Sequence, residues 1–239
     1  MLCWIVTSAL ATDPGLSTKS AEPPIFTIYL IGDAGEASEN GDFATLNFLQ
    51  KHLQEANNQS AVLFLGDNIY PRGLPDEGHH GYAEAENVLK AYQRILEGYS
   101  GRKVFIAGNH DWKKGAKHGW EYAINQESWI IENLDSLIML PEGGCPGPVE
   151  LNLNEEVTLI ILNTQWILHP WDKPRADEGC GLEHSYEVFG QLDDIILRNR
   201  EKKIVVAGHH PMYSYGIHGG VTRFKDHIFP LTAANPSLY

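Results

Sequence analysis

Short apolar runs alternate with amphipathic stretches along most of this chain. Residues 25–31, 61–65, 104–107 and 204–207 are rich in β-branched, aromatic and aliphatic side chains, the signature of strands buried on both faces. Between them, Phe43, Leu46, Leu49 and Leu53 recur at helical spacing after Asn40-Gly41-Asp42, and Val88, Tyr92, Ile95 and Tyr99 do so before Ser100-Gly101. A third stripe, Val188, Leu192, Ile195 and Ile196, marks a helix over residues 185–200 that feeds the run at 204. Residues 149–153 and 157–163, separated by Asn154-Glu155-Glu156, read as a hairpin. Strand–helix–strand alternation predicts a layered α/β sheet with helices on its faces, and the hairpin makes the sheet mixed or adds a second one. No internal repeat or dividing linker appears, so residues 25–239 are expected to form one domain.

Composition narrows the picture. The 239 residues carry 43% hydrophobic side chains and a formal charge of -13, from 31 acidic against 18 basic residues. With no long basic run, nucleic acid is an unsuitable partner, and no stretch reaches the roughly 18 apolar residues of a membrane span. Residues 1–24 are expected to form a leader and flexible N-terminal segment: the first eleven are mostly apolar and Ala9-Leu10-Ala11 fits a signal-peptidase site, although a basic start is missing. The expectation is export to the periplasm or exterior, with a cytoplasmic protein and a buried or frayed N-terminus as the alternative. Should Cys3 leave with the leader, Cys145 and Cys180 either pair in an oxidising compartment or remain two thiols.

The chemistry sits where the apolar runs stop. Each ends in Gly followed by a metal-ligand type of side chain: Ile31-Gly32-Asp33, Leu65-Gly66-Asp67, Ala107-Gly108-Asn109 and Ala207-Gly208-His209. The carboxyl ends of strands in an open α/β sheet face one crevice, so donors distant in sequence can converge there. A single Gly-Asp after a strand is usually only a turn, its carboxylate bonded to nearby amides. Four such endings in order predict a metal site.

Asp33, then Gly66-Asp67-Asn68-Ile69-Tyr70, then Gly108-Asn109-His110-Asp111, then Gly208-His209-His210-Pro211 resemble the calcineurin-like metallophosphoesterase superfamily. Many members carry Asp-x-His at the first position, whereas here Asp33-Ala34-Gly35 lacks that histidine and Tyr70 follows Asp67 by three residues. That exchange resembles the purple acid phosphatase branch, of the tartrate-resistant type, where a tyrosinate replaces the histidine on a ferric ion. A hard, anionic oxygen set suits a trivalent ion.

The resemblance implies an α/β/β/α sandwich with mixed sheets and the metals at strand carboxyl ends. It makes Asp33, Asp67 and Tyr70 ligands of Fe(III), and Asp67, Asn109 and His209 ligands of a divalent ion (Fe, Zn or Mn), the pair roughly 3.5–4 Å apart in such two-metal sites. A hydroxide on the metals would attack phosphorus in line, with His110 and His218 beside the phosphate assisting the leaving group. His210 is expected to line the pocket; His52, His79, His80, His118, His169, His184 and His227 are read as loop or surface residues. For Trp112, Trp166 and Trp171, core packing is expected over substrate contact.

Members of the family also carry a later Gly-His-x-His, and no His-x-His occurs in this sequence, so the expectation is a C-terminally incomplete domain. The function expected is hydrolysis of a small phosphate monoester. The alternatives are a phosphodiesterase or nucleotidase on the same scaffold, and a non-catalytic protein that kept the fold.

Overall fold

The computed structural model describes residues 24–38, 41–134 and 138–211. Its elements run β1 (Thr27–Ile31), α1 (Ala44–Glu55), β2 (Ser60–Phe64), α2 (Tyr82–Leu96), β3 (Arg102–Phe105), α3 (Gly119–Asn133), β4 (Ile138–Met139), β5 (Val149–Asn152), β6 (Val157–Ile161), α4 (Thr164–Leu168), α5 (Ser185–Arg198) and β7 (Lys203–Ala207). Each stripe and apolar run read from the sequence overlaps one of these, with Phe43 and Tyr99 lying just outside α1 and α2.

Two sheets form. The first is parallel, in the order β1-β2-β3-β4; the second pairs β5 antiparallel and β7 parallel to the central β6. Side chains alternate across β2, and every one of its residues is buried. Val62 and Phe64 join a core with Leu46, Leu49 and Leu53 of α1 and Val88, Leu89 and Tyr92 of α2. Ala61 and Leu63 point the other way, into a core shared with Leu159, Ile161 and Ala207 of the second sheet. Period-two alternation thus lets one strand serve a helix–sheet layer and a sheet–sheet layer at once. Phe64 stacks on Phe105 at 4.3 Å and meets the Tyr92 ring edge-on at 4.9 Å, geometry that adds about 0.5–1.5 kcal/mol per pair beyond the area buried. α5 is tied to the second sheet through Arg198 and Asn199, which both bond Glu150 of β5, and through Thr158 of β6 to Asn199. The result is the α/β/β/α sandwich expected.

Two readings need correction, and the structure adds one helix. The strands are not all buried on both faces: β1 is half-buried over most of its length, and β7 runs from exposed Lys203 through exposed Val206 to buried Ala207. α3 carries no clear apolar stripe in the sequence, because Gln126 and Glu127 occupy buried positions between Ala123 and Ile130. Tyr99 belongs to no helix; it is buried beyond the end of α2, its hydroxyl 2.9 Å from Ser60 Oγ.

Cys145 and Cys180 form a disulfide with Cα atoms 5.2 Å apart, closing a loop of sequence separation 35. This resolves the alternative left open above in favour of pairing. Chain-entropy scaling for a loop of that length gives roughly 3–4 kcal/mol. Cys145→Ser/Cys180→Ser is therefore expected to lower unfolding free energy in urea by about that amount, and an unchanged midpoint would show that the bridge constrains nothing.

Candidate metal centre

In the first sheet Ile31, Phe64 and Phe105 are register partners, so the segments that follow leave from one edge. Ile161 of β6 is level with Ala207 of β7. That puts Gly208-His209 just past the end of a strand of the second sheet. At Asp33 and Asp67 the chain turns with φ of 57° and 52°. Non-glycine residues rarely adopt this left-handed conformation, and two of them at adjacent strand ends mark a site where the fold over-determines strain.

Close backbone approach makes the turns compatible. Asp33 N–H donates to Gly66 O at 3.0 Å. A Cβ on Gly35 would collide with the Asn68 carbonyl, and one on Gly108 with the Asp67 backbone and carboxylate. Glycine at 35 and 108 is thus required by the space between the loops that carry the donors.

The donors meet. One ligand atom each from Asp33, Asp67 and His209 lies within 4.8 Å of the others. The Tyr70 hydroxyl lies 3.1 Å from Asp33 Oδ1 and 3.0 Å from Asp67 Oδ2. His209 Nδ1 donates to Leu65 O at 2.9 Å, which turns Nε2 toward Asn109 Oδ1 at 3.2 Å and Asp67 Oδ1 at 3.4 Å. A ring nitrogen facing two oxygen atoms is an arrangement that a cation completes, and the backbone bond at the other ring nitrogen is the usual orienting contact of a metal-binding imidazole. Burial first, then the charges of Asp67 and Asp33, push the Tyr70 phenol well above its ordinary range. A cation beside the three oxygens reverses that electrostatic sign. The residues present therefore fit a metal group.

His110 stands beside these donors. Its backbone N–H donates to Asp67 Oδ1 at 2.8 Å and its Nδ1 to Pro71 O at 2.7 Å. Nε2 lies 4.0 Å from Asp67 Oδ2, and the ring packs 4.2 Å from that of Tyr70. His218, read as its partner at the phosphate, lies outside the described residues.

Asp111, quoted in the motif but given no role above, is fully buried and braces the two loops that carry the donors. Its Oδ1 accepts from the backbone N–H groups of Asn68 (2.9 Å) and Ile69 (3.1 Å). Its Oδ2 accepts from Gly108 N–H (2.8 Å) and Asn68 Nδ2 (3.0 Å). Burial, with Asp67 adding to it, pushes its carboxyl up to about 7. The available signal was a carboxylate directly after Asn-His.

His169, read as a loop or surface residue, does lie in the loop just past α4 but is buried there, 3% exposed. It lies 3.2 Å from Gln165 Nε2 through Nδ1, and its ring meets Trp112 at 5.0 Å. Trp112 and Trp166 are buried in the core as expected, whereas Trp171 is 42% exposed. Burial, reinforced by the Lys173 ammonium, pulls the His169 imidazole down to about 4.

The family profile of the calcineurin-like phosphoesterases matches residues 26–232. This chain belongs to that family, whose members are metal-dependent phosphoester hydrolases. It is similar to tartrate-resistant acid phosphatase type 5 of Sus scrofa, at 22% identity over 223 residues, which cover 90% of this chain and 62% of that protein. The chain thus spans less than two thirds of the length of this curated relative.

Two outcomes follow from this geometry. Asp111→Asn places an amide against N–H groups and is expected to weaken metal binding about 10–100-fold, as loss of an outer support does, measured by metal titration; unchanged affinity would remove the brace from the argument. A His169 imidazole lowered to about 4 takes up its proton more readily in the unfolded chain, near its ordinary 6.5. The native contribution is complete above about pH 6.5 and is lost as pH falls toward 4. Thermal melts should show that loss in the wild type and a shallower one in His169→Phe.

Proposed function

We propose that this protein is a binuclear metal-dependent phosphomonoesterase of the purple acid phosphatase type. The observation that carries the reading is the Tyr70 hydroxyl set between the carboxylates of Asp33 and Asp67, together with Asp33-Ala34-Gly35 in place of Asp-x-His. Asp33, Asp67 and Tyr70 would hold Fe(III), and Asp67, Asn109 and His209 a divalent ion. Bound there, the metals supply Lewis acidity toward the phosphoryl oxygens and a hydroxide nucleophile near neutral pH.

The chain's own residues do the rest. Asp67, 3% exposed, is fixed by His110 N–H and so keeps its second oxygen turned to Tyr70. His110, anchored at Nδ1 by Pro71 O, presents Nε2 as the atom that returns a proton to the departing alkoxide while the phosphorus–oxygen ester bond breaks. His218 is assigned the same side of the phosphate.

The Cys145–Cys180 disulfide supports an exported protein, since such bridges persist in oxidising compartments. The substrate class is a small phosphorylated molecule.

Protein purified without chelators is expected to contain two metal ions per chain, to show a visible tyrosinate-to-iron band, and to hydrolyse p-nitrophenyl phosphate faster than bis(p-nitrophenyl) phosphate. Tyr70→Phe should abolish the band, and His110→Ala should lower kcat roughly 10²–10⁴-fold. A protein with one ion or none, or a band that survives Tyr70→Phe, would overturn the assignment; the reverse substrate order would make it a diesterase.

A further inference from the structure

Away from the metal centre, a cavity of about 640 Å³ is walled by the segment after α4 and by Trp120 at the start of α3. None of Asp33, Asp67, Tyr70, Asn109, His110 or His209 lines it. We propose that this cavity is a binding site for an organic cation, a quaternary or alkylated ammonium group.

Its walls have the two properties that such a ligand needs. The first is indole surface: Trp120 and Trp171 both line it, and tryptophan is the aromatic ring that best attracts an ammonium. The chain itself shows the preference locally. Lys117 Nζ sits 4.8 Å from the Trp171 centroid and Lys173 Nζ sits 4.3 Å from that of Trp166.

The second property is a net negative lining, in which Asp172, Asp177, Glu178 and Glu183 outnumber Lys173 and Arg175. Lys173 lines the cavity, but its ammonium donates to Trp166 O at 2.7 Å and His169 O at 3.0 Å. Arg175 is paired with Glu183 at 2.7 Å. Lys173 keeps its charge against these neutral carbonyls and Arg175 also feels Asp177 and Glu178, so the excess of four carboxylates over two cations is what draws a further cation. A metal ion is the wrong cation. Among the described residues, only Asp33, Asp67 and His209 bring three such ligand atoms within 4.8 Å of one another. Carboxylates that surround a volume without converging on a point suit a large, diffuse charge.

The walls are also held in place. Trp120 Nε1 donates to Gly143 O at 3.0 Å, two residues before Cys145, and Cys145 is bonded to Cys180, within the loop that carries Asp177 and Glu178. A site fixed in this way loses little freedom when a ligand enters.

The experiment compares choline with its neutral isostere 3,3-dimethylbutan-1-ol, by ¹H line broadening of the ligand methyl groups on added protein, and needs no turnover. Failure of the phosphatase assignment leaves it unaffected. Choline is expected to bind saturably and at least about tenfold tighter than the alcohol. Trp171→Ala should abolish that binding, and Asp172→Asn/Asp177→Asn, which keeps the shape of the cavity, should bring choline down to the affinity of the alcohol. Equal affinity for the two probes, or choline binding unchanged in both variants, would overturn the proposal.

Discussion

Asp33 and Asp67 place like charges side by side at the ends of adjacent parallel strands, and the rest of the structure is arranged to hold them there. Two carboxylates a few ångströms apart at a protein surface repel by a few kcal/mol, and each here sits on a left-handed turn besides. The Tyr70 hydroxyl lies between them, the His110 amide fixes one oxygen of Asp67, and His209 approaches from the second sheet. These contacts hold the donor oxygens in place but leave the carboxylate charge itself to be balanced. A bound cation would relieve that residual repulsion.

Rigidity around the donors comes from a buried polar core beside an apolar one. Asp111 gathers amides from the loops after β2 and β3, while Phe64, Phe105 and Tyr92 pack the strands that lead into those loops. The aromatic stack fixes where the strands end, and the carboxylate fixes how the chain turns once they have. Gly35 and Gly108 let the loops approach closely enough for both to operate. In the segment after α4 a different device does similar work: Lys173 caps the carbonyls at the end of that short helix, and the disulfide joins the far loop to the residues under Trp120.

The fold was largely legible because periodicity reports burial. β2, β3, β6 and the helices α1, α2 and α5 show their apolar sides openly, and the parallel register follows from alternation with helices. α3 was hidden because Gln126 and Glu127 are buried polar residues on its inner side, Glu127 accepting from Gly143 N–H. β1 and β7 were read as fully buried because composition cannot say which strands lie at the margins of a sheet.

For the site, sequence alone supplied donor types and their order: Asp33, Asp67, Tyr70, Asn109 and His209 each follow a strand, and side-chain chemistry restricts what such a set can bind. Only tertiary structure decided that they meet, that Asp111 braces them, that His169 is buried and that Cys145 reaches Cys180. Those facts depend on distances between segments separated by many residues. Local propensity carries no information about such distances; strand register and sheet–sheet packing set them.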